Sequence, residues 1–175
     1  GMPLAYITGQ REFHGLMLQV THDVLVPRPE TELLVEWALK LLATELAEKP
    51  QPEVVDLGTG SGAIALAVKH GCPRARLLGL DTSTAALSVA SANARAHYLD
   101  VTFEAGDWLA NAGTRCFDLI LANPPYIDAG DPHMAALHAE PMAALTPGPD
   151  GLAALRCIVA QAPRHMKSGA WLLLE

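Results

Sequence analysis

Four consecutive residues, Asn123-Pro124-Pro125-Tyr126, follow the apolar run Phe117 to Ala122. Two adjacent prolines remove two backbone donors and disfavour helix at the residue before each, so a buried strand is driven into a rigid corner. One side of the corner carries an amide and the other a phenol. A planar amide or aromatic-amine nitrogen is a poor nucleophile because its lone pair is delocalised, and a site helps it by accepting both N–H bonds with fixed oxygens. The Asn123 side-chain oxygen and the Pro124 carbonyl are candidates for those acceptors, with Pro125 holding them rigid and the Tyr126 ring packing on the planar group. Such preorganisation supplies on the order of 7 to 11 kcal/mol of a barrier. It needs neither a histidine base nor a metal.

The second chemical motif is VVDLGTGSGAIALAV, with Asp56 at the end of a strand and Gly58, Thr59, Gly60, Ser61 and Gly62 in the turn after it. Glycines there let the backbone turn tightly and approach a ligand, and the helix that follows offers free N–H groups and the positive end of its dipole. Asp81 ends the next strand, where a carboxylate commonly accepts both hydroxyls of a ribose. With Ala63 the loop also satisfies G-x-G-x-x-A, so it fits a dinucleotide as well as a nucleoside, and a plain tight turn is the alternative to either.

The elements that must carry these motifs are short apolar runs alternating with helical patterns. Glu53 to Leu57, Arg76 to Asp81, Val101 to Ala105, Phe117 to Ala122 and Ala170 to Glu175 suit strands; Ser61 to His70, Thr84 to His97 and Gly151 to Met166 have helical spacing. This alternation predicts an α/β fold, a doubly wound, mostly parallel sheet with right-handed crossovers. Upstream, Glu30 to Leu46 reads as a helix with Leu33, Leu34, Trp37, Leu41 and Leu42 on the stripe facing the sheet, and FHGLMLQVTHDVLV as a hairpin with a His-Asp turn. Residues 2–50 are therefore expected to form a hairpin and linking helix packed on a core of residues 51–175. With sheet order 3-2-1-4-5, a ligand crevice opens at the carboxyl ends of strands one and four, which puts the glycine loop opposite the Asn-Pro-Pro-Tyr corner.

Composition excludes several classes. The 175 residues are 50% hydrophobic and 18% charged, enough for a core that buries roughly 70% of the unfolded surface. No apolar run spans a membrane and no signal peptide is visible, which predicts a cytoplasmic protein. The formal net charge of -7 disfavours nucleic acid as partner. Cys72, Cys116 and Cys157 form no CxxC pair, and the histidines no ligand pattern: His133 and His138 are five apart, off one helical face.

Together, DLGTGSG, the acid in GLD, GDW at Gly106 to Trp108, and NPPY resemble the class I S-adenosylmethionine-dependent methyltransferases that act on planar nitrogens, including DNA adenine N6 and ribosomal guanine N2 methyltransferases. The upstream PLAYITGQREFHGLMLQVTHDVLVPRPETELLVEWAL is similar to the segment before the core in the HemK/PrmC family, the N5-glutamine methyltransferases of peptide chain release factors. The likeness runs from about Pro3 to Glu175. It implies a Rossmann-like core that binds S-adenosylmethionine and releases S-adenosylhomocysteine. Asp56, Gly58 to Gly62 and Asn123 would contact the cofactor, Asp81 its ribose, and Asp107 with Trp108 its adenine. Asn123, Pro124, Pro125 and Tyr126 would seize the glutamine of the release factor's Gly-Gly-Gln loop. Arg28, Pro29 and Glu30 lie near the site, as a turn and helix start or as direct contacts, and Phe13 is expected in the core.

The family also carries an N-terminal helical domain and further strands after LLLE, so the chain is expected to be truncated at both ends, its open sheet edge inviting a dimer. In ALHAEPMAAL, where the family places arginines, this chain has His138 and Met142. A nucleobase amino-group methyltransferase and a non-catalytic S-adenosylmethionine-binding remnant are the competing readings.

Overall fold

In the computed structural model, which describes residues 2–128, 139–146 and 151–175, the chain opens with α1 (Leu4–Thr8), then β1 (Gln10–Phe13), β2 (Leu16–Gln19) and, after a 3-10 turn at Pro29–Thr31, α2 (Glu32–Ala43). The alternating part follows: β3 (Glu53–Leu57), α3 (Ala63–Gly71), β4 (Arg76–Asp81), α4 (Thr84–Ala96), β5 (Val101–Ala105) and β6 (Phe117–Ala122). The short α5 (Met142–Leu145), α6 (Ala153–Gln161) and β7 (Met166–Leu174) complete it. Strand order is β5-β4-β3-β6-β7, every neighbouring pair parallel, which is the predicted α/β topology.

The central strands are buried on both faces, as covered parallel strands must be. β6 has all six residues buried, and Val54 to Leu57 of β3 are buried. One apolar layer joins Leu119, Leu121 and Leu173 to α2, α3 and the hairpin residues Phe13, Leu16 and Leu18; the other joins Val55, Leu57, Ile120 and Ala122 to Ile158 of α6. Phe13 is a core residue, 1% exposed.

Three sequence expectations are corrected. The hairpin turns at His14-Gly15, both with positive φ (48° and 79°), instead of at the His-Asp pair. Helix α2 buries Leu34, Val35, Ala38, Leu41 and Leu42, while Leu33 and Trp37 are 68% and 53% exposed. Both sets have helical spacing, and the structure selects the one containing Ala38, the small residue that lets the helix approach the sheet. The last strand begins at Met166, with a register irregularity opposite Phe117 to Leu119. No helix among the described residues is long and apolar enough to cross a membrane. No finding supports the expected dimer. His133 and His138 lie outside the described residues.

Candidate active site

At the carboxyl ends of β3 and β6 the topology opens a cavity of about 560 Å³. Gly58, Gly60, Asp81, Asp107 and Trp108 line one side; Asn123 and Pro125 line the other. A smaller cavity of about 50 Å³, walled by Arg28, Pro124, Tyr126 and Ile127, shares Asn123 and Pro125 with it. The two motifs therefore meet across one crevice, as the strand order requires.

The glycine loop is pinned to β4. Gly58 and Thr59 donate their backbone N–H groups to the Leu80 carbonyl at 2.8 and 3.0 Å, and Gly60 donates to Asp81 Oδ2 at 2.9 Å. Asp81 Oδ1 accepts from the Ser83 N–H at 2.9 Å. Two backbone donors thus fix the carboxylate's orientation at the crevice wall. Gly58 and Gly60 have φ of 69° and 54°. A Cβ on Gly58 would sit 3.3 Å from the Trp108 ring, so glycine there serves both backbone and space. Trp108 itself holds a positive φ of 49°, a conformation a bulky residue keeps only where its surroundings demand it.

Asp56, Thr59, Ser61 and Gly62 lie behind this wall, all buried. Asp56 Oδ2 accepts from Thr59 Oγ1 at 2.6 Å and from the Ala65 N–H at 3.3 Å, bracing the loop onto the first turn of α3. Burial, reinforced by the charge of Asp81 and opposed by those two hydrogen bonds, pushes the Asp56 carboxyl up to about 7. Its Oδ1 is buried with no partner. Asn93 ties the same loop to the hairpin: its amide nitrogen donates to the carbonyls of Ser61 and Gln19, and its oxygen accepts the Gln19 N–H.

Opposite the glycines, Asn123 Nδ2 donates to Thr31 Oγ1 at 3.0 Å, and Thr31 Oγ1 donates to Glu175 Oε1 at 3.2 Å. Tyr126 is half exposed, and a Cβ on Gly151 would come within 2.6 Å of the Tyr126 carbonyl, so that glycine admits the close approach of the corner. Arg28 Nη2 donates to Glu140 Oε1 at 2.6 Å, while Glu140 Oε2 accepts the Val26 N–H at 3.3 Å. Glu140 is 5% exposed. This pair straps the segment before α2 to the segment before α5; Pro29 and Glu30, beside it, are exposed. Thr31, Asn93, Glu140 and Glu175 were absent from the sequence-derived site. PRPETE and the Glu-Pro pair flagged two of their segments, but the partners lie far away in the chain.

The wall of the larger cavity includes Asp23, Asp81 and Asp107 and, among the described residues, no lysine or arginine. That acid-rich, glycine-floored lining suits a ligand that carries positive charge and a ribose. No group of three or more His, Cys, Asp or Glu among the described residues is arranged to hold a metal ion.

Residues 34–148 match the family model described as methyltransferase small domain. Over its full length the chain is 46% identical to the release factor glutamine methyltransferase of Coxiella burnetii and 48% identical to that of Xylella fastidiosa, covering 62% and 63% of those proteins. The chain thus spans less than two thirds of the length of these curated relatives. Among solved structures it superposes on the hMettl16 catalytic domain in complex with the MAT2A 3′UTR hairpin 6 with a TM-score of 0.68 and 14% identity, over 92% of this chain and 61% of that one. At that identity the likeness is one of fold.

Proposed function

We propose that this chain, which belongs to the methyltransferase small domain family, is the catalytic part of an S-adenosylmethionine-dependent methyltransferase acting on the side-chain amide nitrogen (N5) of the glutamine in the Gly-Gly-Gln loop of peptide chain release factors. The observation that carries the reading is the Asn-Pro-Pro-Tyr corner facing the glycine loop across a shared crevice. Identities of 46–48% along the whole chain to release factor glutamine methyltransferases support the choice of acceptor.

The residues at the crevice suit the cofactor. Gly58 and Gly60 admit the methionine part, Asp81 takes the ribose hydroxyls, and Asp107 with Trp108 borders the adenine; Asp56, Thr59, Ser61 and Gly62 hold that wall in shape from behind. When bound, S-adenosylmethionine supplies a methyl group on a positively charged sulfur, which keeps the bonding electron pair as S-adenosylhomocysteine forms. Asn123 Oδ1 and the Pro124 carbonyl accept the two N–H bonds of the acceptor amide and turn its lone pair toward the glycine side. Pro125 keeps that geometry from relaxing, and Tyr126 covers the amide plane. One N–H proton leaves to solvent after transfer. Catalysis of this kind rests on orientation and placed dipoles, so the site needs no titrating base.

The test is transfer of labelled methyl from S-adenosylmethionine to a purified release factor, beside the same factor with its Gly-Gly-Gln glutamine changed to alanine. Label on the first alone establishes the activity and the acceptor. Label on neither, with cofactor bound, overturns the reading and favours a silent cofactor-binding remnant. Label on a nucleic acid instead favours the nucleobase reading.

A further inference from the structure

A carboxamide can occupy its site in two ways related by a half-turn, nearly equal in shape and opposite in polarity. Asn123 serves an amide acceptor only with its oxygen toward the crevice, because the reversed group would set N–H against N–H. Its partner at the other end decides the matter. That partner is the Thr31 hydroxyl, 3.0 Å from Asn123 Nδ2. A hydroxyl alone would tolerate either orientation, since it can donate or accept. Thr31, however, has its one hydrogen committed to Glu175 Oε1 at 3.2 Å. Burial raises the Glu175 carboxyl and the Thr31 hydrogen bond pulls it back; in its ionised form it only accepts. The hydroxyl therefore turns lone pairs toward Asn123, and only the NH₂ end of the amide can satisfy them.

Thr31 is built for this use. It is 5% exposed and stands where the 3-10 turn meets α2, a place where threonine commonly caps the helix, yet it makes no capping hydrogen bond. Its branched Cβ restricts it to few rotamers. Glu175 is anchored beside the corner by its own N–H, which donates to the Ala122 carbonyl at 3.1 Å, one residue before Asn123. Its Oε2 is buried without a partner, so burial of this side chain gains nothing on that oxygen.

We propose that Thr31 and Glu175 are positioning residues of methyl transfer: the carboxylate orients the hydroxyl, the hydroxyl orients the Asn123 amide, and the amide presents its oxygen to the acceptor nitrogen. This rests on the role given to Asn123 above. Glu175→Gln is the decisive variant, because it keeps size and hydrogen bonding while allowing the chain of donors to run backward. Thr31→Val removes the link at nearly constant shape, and Thr31→Ser retains it.

The experiment compares native protein with Thr31→Val, Thr31→Ser and Glu175→Gln for cofactor affinity, methyl transfer to the release factor, and the ¹⁵N–¹H signals of the Asn123 side chain, assigned as the pair missing from Asn123→Asp. The expected result is kcat lowered about 10- to 100-fold in Thr31→Val and Glu175→Gln, the range for losing a group that orients a metal ligand, carried over to this orienting hydrogen bond. KM for the release factor and cofactor affinity should stay within about twofold, and Thr31→Ser should turn over at near the native rate. The Asn123 amide protons should shift and exchange faster in the two damaging variants alone. Unchanged Asn123 signals in both damaging variants, or native turnover in them, overturn the proposal. If native protein fails to methylate the release factor, the functional reading falls, and the Asn123 signals still decide whether the relay exists.

Discussion

Replacing Asp56 by asparagine should flatten the pH dependence of stability on the alkaline side of the carboxylate range. The native carboxyl, fully buried and pushed to about 7 from an ordinary 3.8, is neutral in the fold at a pH where the unfolded chain has already released its proton. A raised acid makes its stabilising contribution in full below 3.8 and loses it as pH rises through about 7. The difference of about three pH units corresponds to about 4 kcal/mol, of which about 2 to 3 kcal/mol falls between about pH 5 and about pH 8. Asparagine mimics the neutral acid, so it pays any packing cost equally at every pH. Urea unfolding followed by tryptophan fluorescence across that range measures the effect as a difference of differences. The native protein should lose about 2 to 3 kcal/mol more than the variant between the two ends. Parallel profiles would refute the reasoning and mean that Asp56 is ionised in the fold, with its orphaned oxygen solvated.

Asn123→Ala should leave cofactor affinity within about threefold while lowering methyl transfer by about 10²-fold or more, read by calorimetry and labelled methyl; equal loss of both would make the corner structural. Gly58→Ala should cost about 1 kcal/mol for the left-handed backbone and, by pressing a methyl toward Trp108, weaken cofactor binding about tenfold; unchanged binding would remove Gly58 from the cofactor wall. Arg28→Met leaves the buried Glu140 carboxylate with one backbone donor among the described residues, and because Arg28 is about a third exposed the loss should be about 1 to 2 kcal/mol, seen as faster amide exchange at Val26. Trp37→Gln should change unfolding free energy by less than about 0.5 kcal/mol, since that side chain is half exposed; a larger loss would contradict the observed face of α2.

Local pattern in the sequence was enough to find the parts of the crevice lining that are themselves local. Glycines that must turn after a strand, an acid closing the next strand and prolines ending another announce themselves within a few residues, and apolar runs with helical stretches between them point to a parallel α/β sheet, whose order the structure supplies. Asp56 shows where such reading stops. In a strand buried on both faces every position is inward, so alternation cannot tell whether a carboxylate looks into the crevice or under the loop. The α2 stripe failed for a related reason: two sets of residues share helical spacing, and only packing against the sheet distinguishes Ala38 from Trp37 as the inward side chain. Thr31, Glu140 and Glu175 escaped because their roles are pairings across 92, 112 and 144 residues of chain.

Those separations also divide the crevice into a locally built half and a half built by distant contacts. Contacts distant in sequence close large loops and form after nearby helices and neighbouring strands have condensed. The glycine loop and its acid are joined across only 21 residues. The wall opposite them is closed where β7 brings Glu175 to Thr31 across 144 residues. One half of the crevice is therefore held by chain neighbours, while the other exists only where residues 92 to 144 positions apart are brought together, so a change remote in sequence reaches the second half more readily than the first.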